Sequence, residues 1–253
     1  YEDLRGLPED EWLPRFKPDG IITAPGVPLD RPFFQEAARQ KIPVFGENDL
    51  GYRVLQATRR PSPFYVALTG TDGKSTTAAL IAHLCRTLLH VTAHPCGNFG
   101  EPLSAIASQH LTGGMVPQVL VVELSSFQLE LVGEFRACIS MILNVAPDHL
   151  DRYAGMMEYA RAKMNITRNL LSGDLFLFSR NAGLYGGFPE IFDSLQKNHV
   201  VCEEVDLPSD SIGEISNPSL SGQHNRLNLH FALRTVETLS ILMNRPLERE
   251  DYS

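Results

Sequence analysis

Phe64-Tyr65-Val66-Ala67-Leu68-Thr69-Gly70-Thr71-Asp72-Gly73-Lys74-Ser75-Thr76 carries the strongest structural signal in the chain. The apolar run at its start predicts a strand covered on both faces, as an interior parallel strand requires. From Lys74 onward Leu80, Ile81, Leu84, Cys85 and Leu88 recur at helical spacing, so a helix follows the loop directly. Glycines at 70 and 73 let backbone N–H groups converge on phosphate oxygens, and the helix N-terminus adds partial positive charge. In that setting Lys74 reaches the β/γ-phosphates of a nucleotide and the Ser75 hydroxyl ligates Mg²⁺. A standard Walker A loop has its first glycine at the place held here by Leu68. The loop is therefore the shorter G-x-x-G-K-S form, which is not the GTPase pattern.

Downstream, Val119-Leu120-Val121-Val122-Glu123 and Ala137 to Leu143 are further buried-strand runs. A helix is expected over Met156 to Leu171, a strand over Leu175 to Phe178, and a C-terminal helix over Leu227 to Asn244. Residues 180–221 are weakly patterned. Upstream, Ile21-Ile22 and Ile42 to Phe45 read as strands, with helices expected over Phe33 to Arg39 and Glu47 to Leu55. Strand, helix, strand in this order is the parallel α/β pattern. The polar, basic, two-proline stretch Gln56 to Pro63 is the best boundary, since proline excludes regular structure there. The expected fold class is α/β: a mostly parallel P-loop-type ATPase domain at 59–253, preceded at 1–58 by part of a Rossmann-like domain. About 58 residues with so few strands bury a poor core alone.

With 22 Lys+Arg against 30 Asp+Glu, the net charge of −8 disfavours a broad grip on nucleic acid or anionic membranes. No run approaches the roughly 20 apolar residues of a membrane span, and the start lacks a secretion signal. Cys85, Cys96, Cys138 and Cys202 stand far apart, as neither a disulfide framework nor a zinc site, so a cytoplasmic location is expected.

Three further segments carry chemistry. Glu123 ends its strand at the carboxyl edge, where open α/β sheets bind ligands; a carboxylate there can hold Mg²⁺ directly or through water, or, taken alone, be a solvated strand-end Glu. His149, in Asn144-Val145-Ala146-Pro147-Asp148-His149-Leu150-Asp151-Arg152-Tyr153, follows another strand to the same edge. It can meet a metal or a phosphate, or simply bond to backbone, and Asp151 can pair with Arg152. Lys163, beside Tyr159 and Met164, is nucleophilic only if burial lowers its pKa; otherwise it snorkels to solvent. Asn225 and Asn228, in Gly222-Gln223-His224-Asn225-Arg226-Leu227-Asn228, share a helix face and offer amides for a purine edge. A helix N-cap by Asn225 is the simpler reading.

Together these segments resemble the Mur ligase family, the ATP-dependent amino-acid-adding enzymes of peptidoglycan synthesis. The match runs from about Gly20 to Asn244 through Gly70-x-x-Gly73-Lys74-Ser75, Glu123-Leu124-Ser125-Ser126-Phe127-Gln128-Leu129-Glu130, Asn144-x-x-x-Asp148-His149-x-Asp151-Arg152 and Gly222-x-His224-Asn225-x-x-Asn228. The run Ser125 to Glu130 resembles the branch that adds D-glutamate to UDP-N-acetylmuramoyl-L-alanine through an acyl phosphate. The resemblance implies that Gly70, Thr71, Asp72, Gly73, Lys74, Ser75 and Thr76 hold the ATP phosphates. It places Ser75, Glu123, His149 and a carbamylated Lys163 at two Mg²⁺ ions, and Asn225 and Asn228 near the nucleotide, with Asn228 at adenine. Asn98, Ser125 and Gln128 would touch the UDP-sugar. It also implies a monomer, a missing start of the UDP-binding domain before position 1, and an amino-acid-binding C-terminal domain beyond Ser253. Asp72 stands where the family more often has Asn, and Ala24-Pro25-Gly26 replaces its usual Ser-Pro-Gly. A sister ligase or a folylpolyglutamate synthase would lack Ser125 to Gln128. A GTPase would carry an Asn-Lys-x-Asp segment, absent here. A nucleotide-binding chain without turnover is the third alternative.

Overall fold

The computed structural model describes residues 7–206 and 222–247. Its strands are β1 (Ile21–Ile22), β2 (Val44–Phe45), β3 (Phe64–Thr69), β4 (Ala93–Gly97), β5 (Val119–Glu123), β6 (Ile139–Ile142), β7 (Leu175–Ser179) and β8 (Val201–Val205). Its helices are α1 (Glu9–Phe16), α2 (Pro32–Arg39), α3 (Glu47–Thr58), α4 (Lys74–Leu88), α5 (Leu103–Leu111), α6 (Ser126–Leu129), α7 (Met156–Met164), α8 (Leu184–Gly187), α9 (Pro189–Lys197) and α10 (Gln223–Leu242). β1 and β2 form a small parallel pair, and the other six strands form one sheet in the order β4-β5-β3-β6-β7-β8. Every pairing in it is parallel, with Leu68 opposite Glu123 on one side and Met141 on the other.

Alternation along the strands sorts side chains into two layers. Tyr65, Ala67, Leu120, Val122, Phe176 and Phe178 pack with Leu55 of α3, Leu103 and Ile106 of α5, Met164 of α7 and Phe192 of α9. Val66, Leu68, Val119, Val121, Met141 and Leu177 face the other way, onto Ile81 and Cys85 of α4 and Phe231, Val236 and Leu239 of α10. Each fully buried aliphatic side chain contributes about 1.5–3 kcal/mol by leaving water. A sheet covered on both faces therefore shows continuous apolar runs only in its interior strands.

That geometry explains where the sequence expectations fall short. β4 and β8, the two edges of the sheet, lie outside those expectations. β4 carries Pro95, which is tolerated because an edge strand need not donate every ladder hydrogen bond. β8 carries Glu203 and Glu204, charges that discourage edge pairing with other chains; Arg234 pairs with Glu203 at 2.8 Å and Arg180 with Glu204 at 3.1 Å. The weakly patterned 180–221 stretch thus contains α8, α9 and β8, while its residues 207–221 lie outside those described. α1 and α5 are likewise additions to the elements expected from sequence.

The helix expected over Met156 to Leu171 stops at Met164 and tightens into a 3₁₀ turn over Asn165–Thr167. Asn, Ile and Thr in succession are poor helix formers, and Thr167 Oγ1 donates to Met164 O at 2.8 Å. α10 begins at Gln223 rather than Leu227, so Asn225 sits inside its first turn. The N-cap reading of Asn225 is corrected accordingly.

α3 runs into the 56–63 stretch as far as Thr58, ending ahead of its prolines, and lies against α5 of the central layer. Gly51 allows this approach: a Cβ there would stand 2.7 Å from the Leu103 carbonyl carbon. Asp49, almost wholly buried, accepts the Glu134 N–H at 2.7 Å and pairs with Arg53 at 3.0 Å.

Candidate functional site

The carboxyl ends of β3, β5 and β6 converge on the loop that joins β3 to α4. Gly73 ends that loop with φ +80°, a left-handed conformation that an L side chain adopts only at a cost. Its Cα side is closed by Asn228: a Cβ would lie 2.7 Å from Asn228 Oδ1. The first intrahelical bond of α4 runs from Thr77 N to Gly73 O at 2.9 Å. The amides preceding Thr77 therefore have no acceptor within the helix, and this is the usual make-up of an anion site.

Lys74 Nζ donates back into the loop, to Gly70 O at 3.0 Å and Thr71 O at 2.8 Å. Lys163 Nζ donates to the same Gly70 carbonyl at 2.9 Å. Lys163 is 1% exposed and its ammonium lies 4.4 Å from the Tyr159 ring centroid. Burial, reinforced by the neighbouring Lys74 charge, lowers its pKa from 10.5 to about 7. The snorkelling alternative is excluded for this side chain, and a near-neutral pKa supplies the free amine that nucleophilic chemistry needs.

Glu123, 2% exposed, is held from both sides. Ser75 Oγ donates to Oε2 at 2.8 Å and Asn98 Nδ2 donates to Oε1 at 3.0 Å. The Asn98 backbone N–H also donates to Glu123 O at 2.8 Å. Gly97, with φ +101°, permits that turn, since a Cβ there would meet Glu123 O at 2.4 Å. Ser75 and Glu123 thus bring a hydroxyl and a carboxylate together beside Lys74. Such hard oxygen donors suit Mg²⁺, which keeps several waters and takes the rest of its ligands from phosphates. Among the described residues no group of three or more His, Cys, Asp or Glu side chains is placed to enclose a metal.

His149 has φ +51° and packs on Phe127 with ring centroids 5.0 Å apart. Its Nε2 lies 3.4 Å from Asp148 Oδ2. Of the pairings left open for Arg152, the structure shows one with Glu130 at 3.1 Å, and Tyr153 OH donates to the other Glu130 oxygen at 2.9 Å. Ser125 and Gln128 form the capping box of α6, with the Ser125 N–H donating to Gln128 Oε1 at 2.9 Å and the Gln128 N–H donating to Ser125 Oγ at 3.2 Å. Both side chains have a local structural role. Asn228, 5% exposed, donates to Asn225 Oδ1 at 3.4 Å and abuts the loop at Gly73. Thr76 lies half-buried in the first turn of α4, and the Asp72 side chain is exposed.

Sequence reasoning missed two side chains that build the loop. Asn144, just beyond β6, accepts the Thr71 and Asp72 N–H groups, both at 2.9 Å. Tyr159 approaches Thr71 Oγ1 at 3.4 Å. Tyr159 stands one helical turn before Lys163, a spacing that could have flagged it. In sequence Asn144 is marked as the first residue of the Asn144-x-x-x-Asp148-His149 motif at the carboxyl end of a buried strand, with no role of its own attached.

Residues 68–183 match the family model described as the Mur ligase middle domain. A UDP-N-acetylmuramoylalanine--D-glutamate ligase from Listeria monocytogenes is 31% identical over 232 residues, 87% of this chain and 49% of that protein. The like-named protein from Natranaerobius thermophilus is 40% identical over 157 residues, 62% of this chain and 33% of its own length. The chain thus spans about half or less of these curated relatives. The FPGS–AMPPCP complex superposes with a TM-score of 0.58 at 14% identity, covering 86% of this chain and 69% of that one. MurF from Acinetobacter baumannii gives 0.56 at 18%, covering 81% and 48%. At such identities the structural likeness shows a shared fold.

Proposed function

We propose that this chain, which belongs to the Mur ligase family through its middle domain, binds Mg²⁺-ATP and serves the addition of D-glutamate to UDP-N-acetylmuramoyl-L-alanine in peptidoglycan synthesis. One observation carries the reading: the Ser75–Glu123 hydrogen bond of 2.8 Å sets an oxygen-donor pair beside Lys74 at the mouth of a G-x-x-G-K-S loop. The names of the curated relatives support the choice of substrates.

In this reaction an oxygen of the L-alanyl carboxylate attacks the γ-phosphorus. The bond to the β-phosphate oxygen breaks, and ADP departs. The D-glutamate amine then attacks the acyl carbon, inorganic phosphate leaves, and the amine proton passes to solvent or a nearby base. Bringing a carboxylate to a triphosphate is strongly repulsive, so cationic charge must be present beforehand. Lys74 supplies one charge when it releases the Gly70 and Thr71 carbonyls for phosphate oxygens. Ser75 and Glu123 would hold Mg²⁺, which when bound neutralises phosphate charge. Two such ions are proposed, with His149 and a carbamylated Lys163 serving the second. Addition of CO₂ to the neutral Lys163 amine would form the N–C bond, release one proton and leave a carbamate anion as an oxygen ligand.

Asn98, Ser125 and Gln128 are assigned to the UDP-sugar side, and Asn225 and Asn228 to the nucleotide side, with Asn228 at adenine. The division at about residue 58 into a substrate-binding region and an ATP-binding domain, a cytoplasmic location and a monomeric state belong to the same proposal. No helix among the described residues is long and apolar enough to cross a membrane. The test is ADP and phosphate release from Mg²⁺-ATP with UDP-N-acetylmuramoyl-L-alanine, comparing D-glutamate with other amino acids. Release that depends on D-glutamate is expected; release with another amino acid and none with D-glutamate would overturn the assignment.

A further inference from the structure

Among the groups that fasten the phosphate loop from outside its own strand–helix unit, one primary amide takes two consecutive N–H groups of the loop. Asn144 Oδ1 accepts both the Thr71 and the Asp72 N–H at 2.9 Å, and Asn144 Nδ2 donates to Asp72 O at 2.9 Å. An asparagine carbonyl has two lone pairs, so this oxygen is fully committed to the loop. The attachment continues on either side. Thr71 N also approaches the Asn144 backbone oxygen at 3.3 Å. Thr71 Oγ1 donates to Ala146 O at 3.2 Å while accepting the Ala146 N–H at 3.0 Å. These contacts bridge residues 72 to 75 positions apart.

We propose that Asn144 is a positioning residue for nucleotide binding: it fixes Thr71 and Asp72 so that the Gly73 turn and the first amides of α4 are preformed for phosphate. The inference rests on reading 69–76 as a phosphate loop. The division of labour follows from the donors. Amides 71 and 72 are engaged by Asn144, whereas those just before Thr77 have no intrahelical acceptor and are the ones a phosphate would meet. A loop held in its binding shape binds without first being ordered, and loss of the holder appears as weaker affinity. Asp72 is exposed and Thr71 only half-buried, so their amides would exchange quickly with solvent without such a holder.

The test combines amide hydrogen exchange in wild type, Asn144→Ala and Asn144→Asp with Mg²⁺-ATP titration of the first two. Aspartate keeps an acceptor oxygen for both amides, but it replaces the donor to Asp72 O with an oxygen and adds negative charge beside the phosphate site, so it is read by exchange and not by ATP affinity. Wild type should show protected amides at 71 and 72. Asn144→Ala should speed their exchange at least tenfold and raise the ATP dissociation constant at least tenfold. Asn144→Asp should largely restore the protection, a rescue that a purely space-filling role would not give. An Asn144→Ala protein that binds ATP within twofold of wild type, or exchanges at wild-type rates at 71 and 72, overturns the proposal. Should Asn144→Ala fail to fold, wild-type exchange decides, since unprotected amides at 71 and 72 overturn it equally. Absence of ATP binding by wild type would instead count against the phosphate-loop reading.

Discussion

Replacing Lys163 by methionine should flatten the pH dependence of stability between pH 7 and 9. In the folded protein Lys163 is 1% exposed, donates to Gly70 O at 2.9 Å and has its pKa lowered to about 7, first by burial and then by Lys74. In the unfolded chain it titrates near 10.5. Below about pH 7 both states carry the proton, and the full cost of a buried ammonium is present. Between the two pKa values the unfolded state binds more protons, so stability rises with pH. A tenfold change in a protonation equilibrium is worth about 1.4 kcal/mol, and integration from pH 7 to 9 yields roughly 2 kcal/mol of added stability from this side chain. Methionine matches the length of the stem and cannot titrate. Buried Cys85 and Cys138, each pushed up to about 12 by burial, destabilise the fold above their unfolded pKa; they are common to both proteins and cancel in the difference. Urea unfolding of wild type and Lys163→Met at pH 7 and 9, in CO₂-free buffer, reads the effect as a difference of differences. A gain of about 2 kcal/mol in wild type over the variant is expected. Equal pH dependence in the two proteins would refute the assignment of a near-neutral buried amine.

Two further substitutions probe the frame of the site. Gly73→Ala should destabilise by about 1–2 kcal/mol through its positive φ alone, and by more through the 2.7 Å approach to Asn228 Oδ1; adding Asn228→Ala should recover the second part, measured as non-additivity in a thermal-unfolding double-mutant cycle. Ser125→Ala should cost roughly 0.5–2 kcal/mol by removing the N-cap of α6, visible as a lowered unfolding midpoint even without ligands, whereas a residue that served substrate contact only would leave that midpoint unchanged.

The parts of this fold legible in sequence are those whose signal is local. β3, β5, β6 and β7 lie in the sheet interior, and burial on both faces writes an apolar run into each, interrupted within β6 by Ser140, whose hydroxyl donates to Ile166 O. β4 and β8 are edges, where Pro95, Glu203 and Glu204 are compatible with pairing on one side only, so the same sheet left no such mark at its margins. The glycine–lysine–serine loop is legible because every part of it is contiguous. Glu123 is legible because it ends an apolar strand. The burial of Lys163 depends on its packing beneath the loop, and the grip of Asn144 on Thr71 and Asp72 crosses more than 70 residues. Ser125 and Gln128 show the converse, since their spacing of three is also the spacing of a capping box, which is the role their side chains play in this structure.

The central claim is that 69–76 is a phosphate loop whose lysine takes the charge of a nucleoside triphosphate. Calorimetric titration of Mg²⁺-ATP into wild type and Lys74→Ala tests it most directly. Wild type should bind saturably and prefer ATP over GTP, and binding should weaken at least tenfold once the charge-assisted contact of Lys74 is removed. Equal dissociation constants for wild type and Lys74→Ala, or selective binding of GTP, would contradict it.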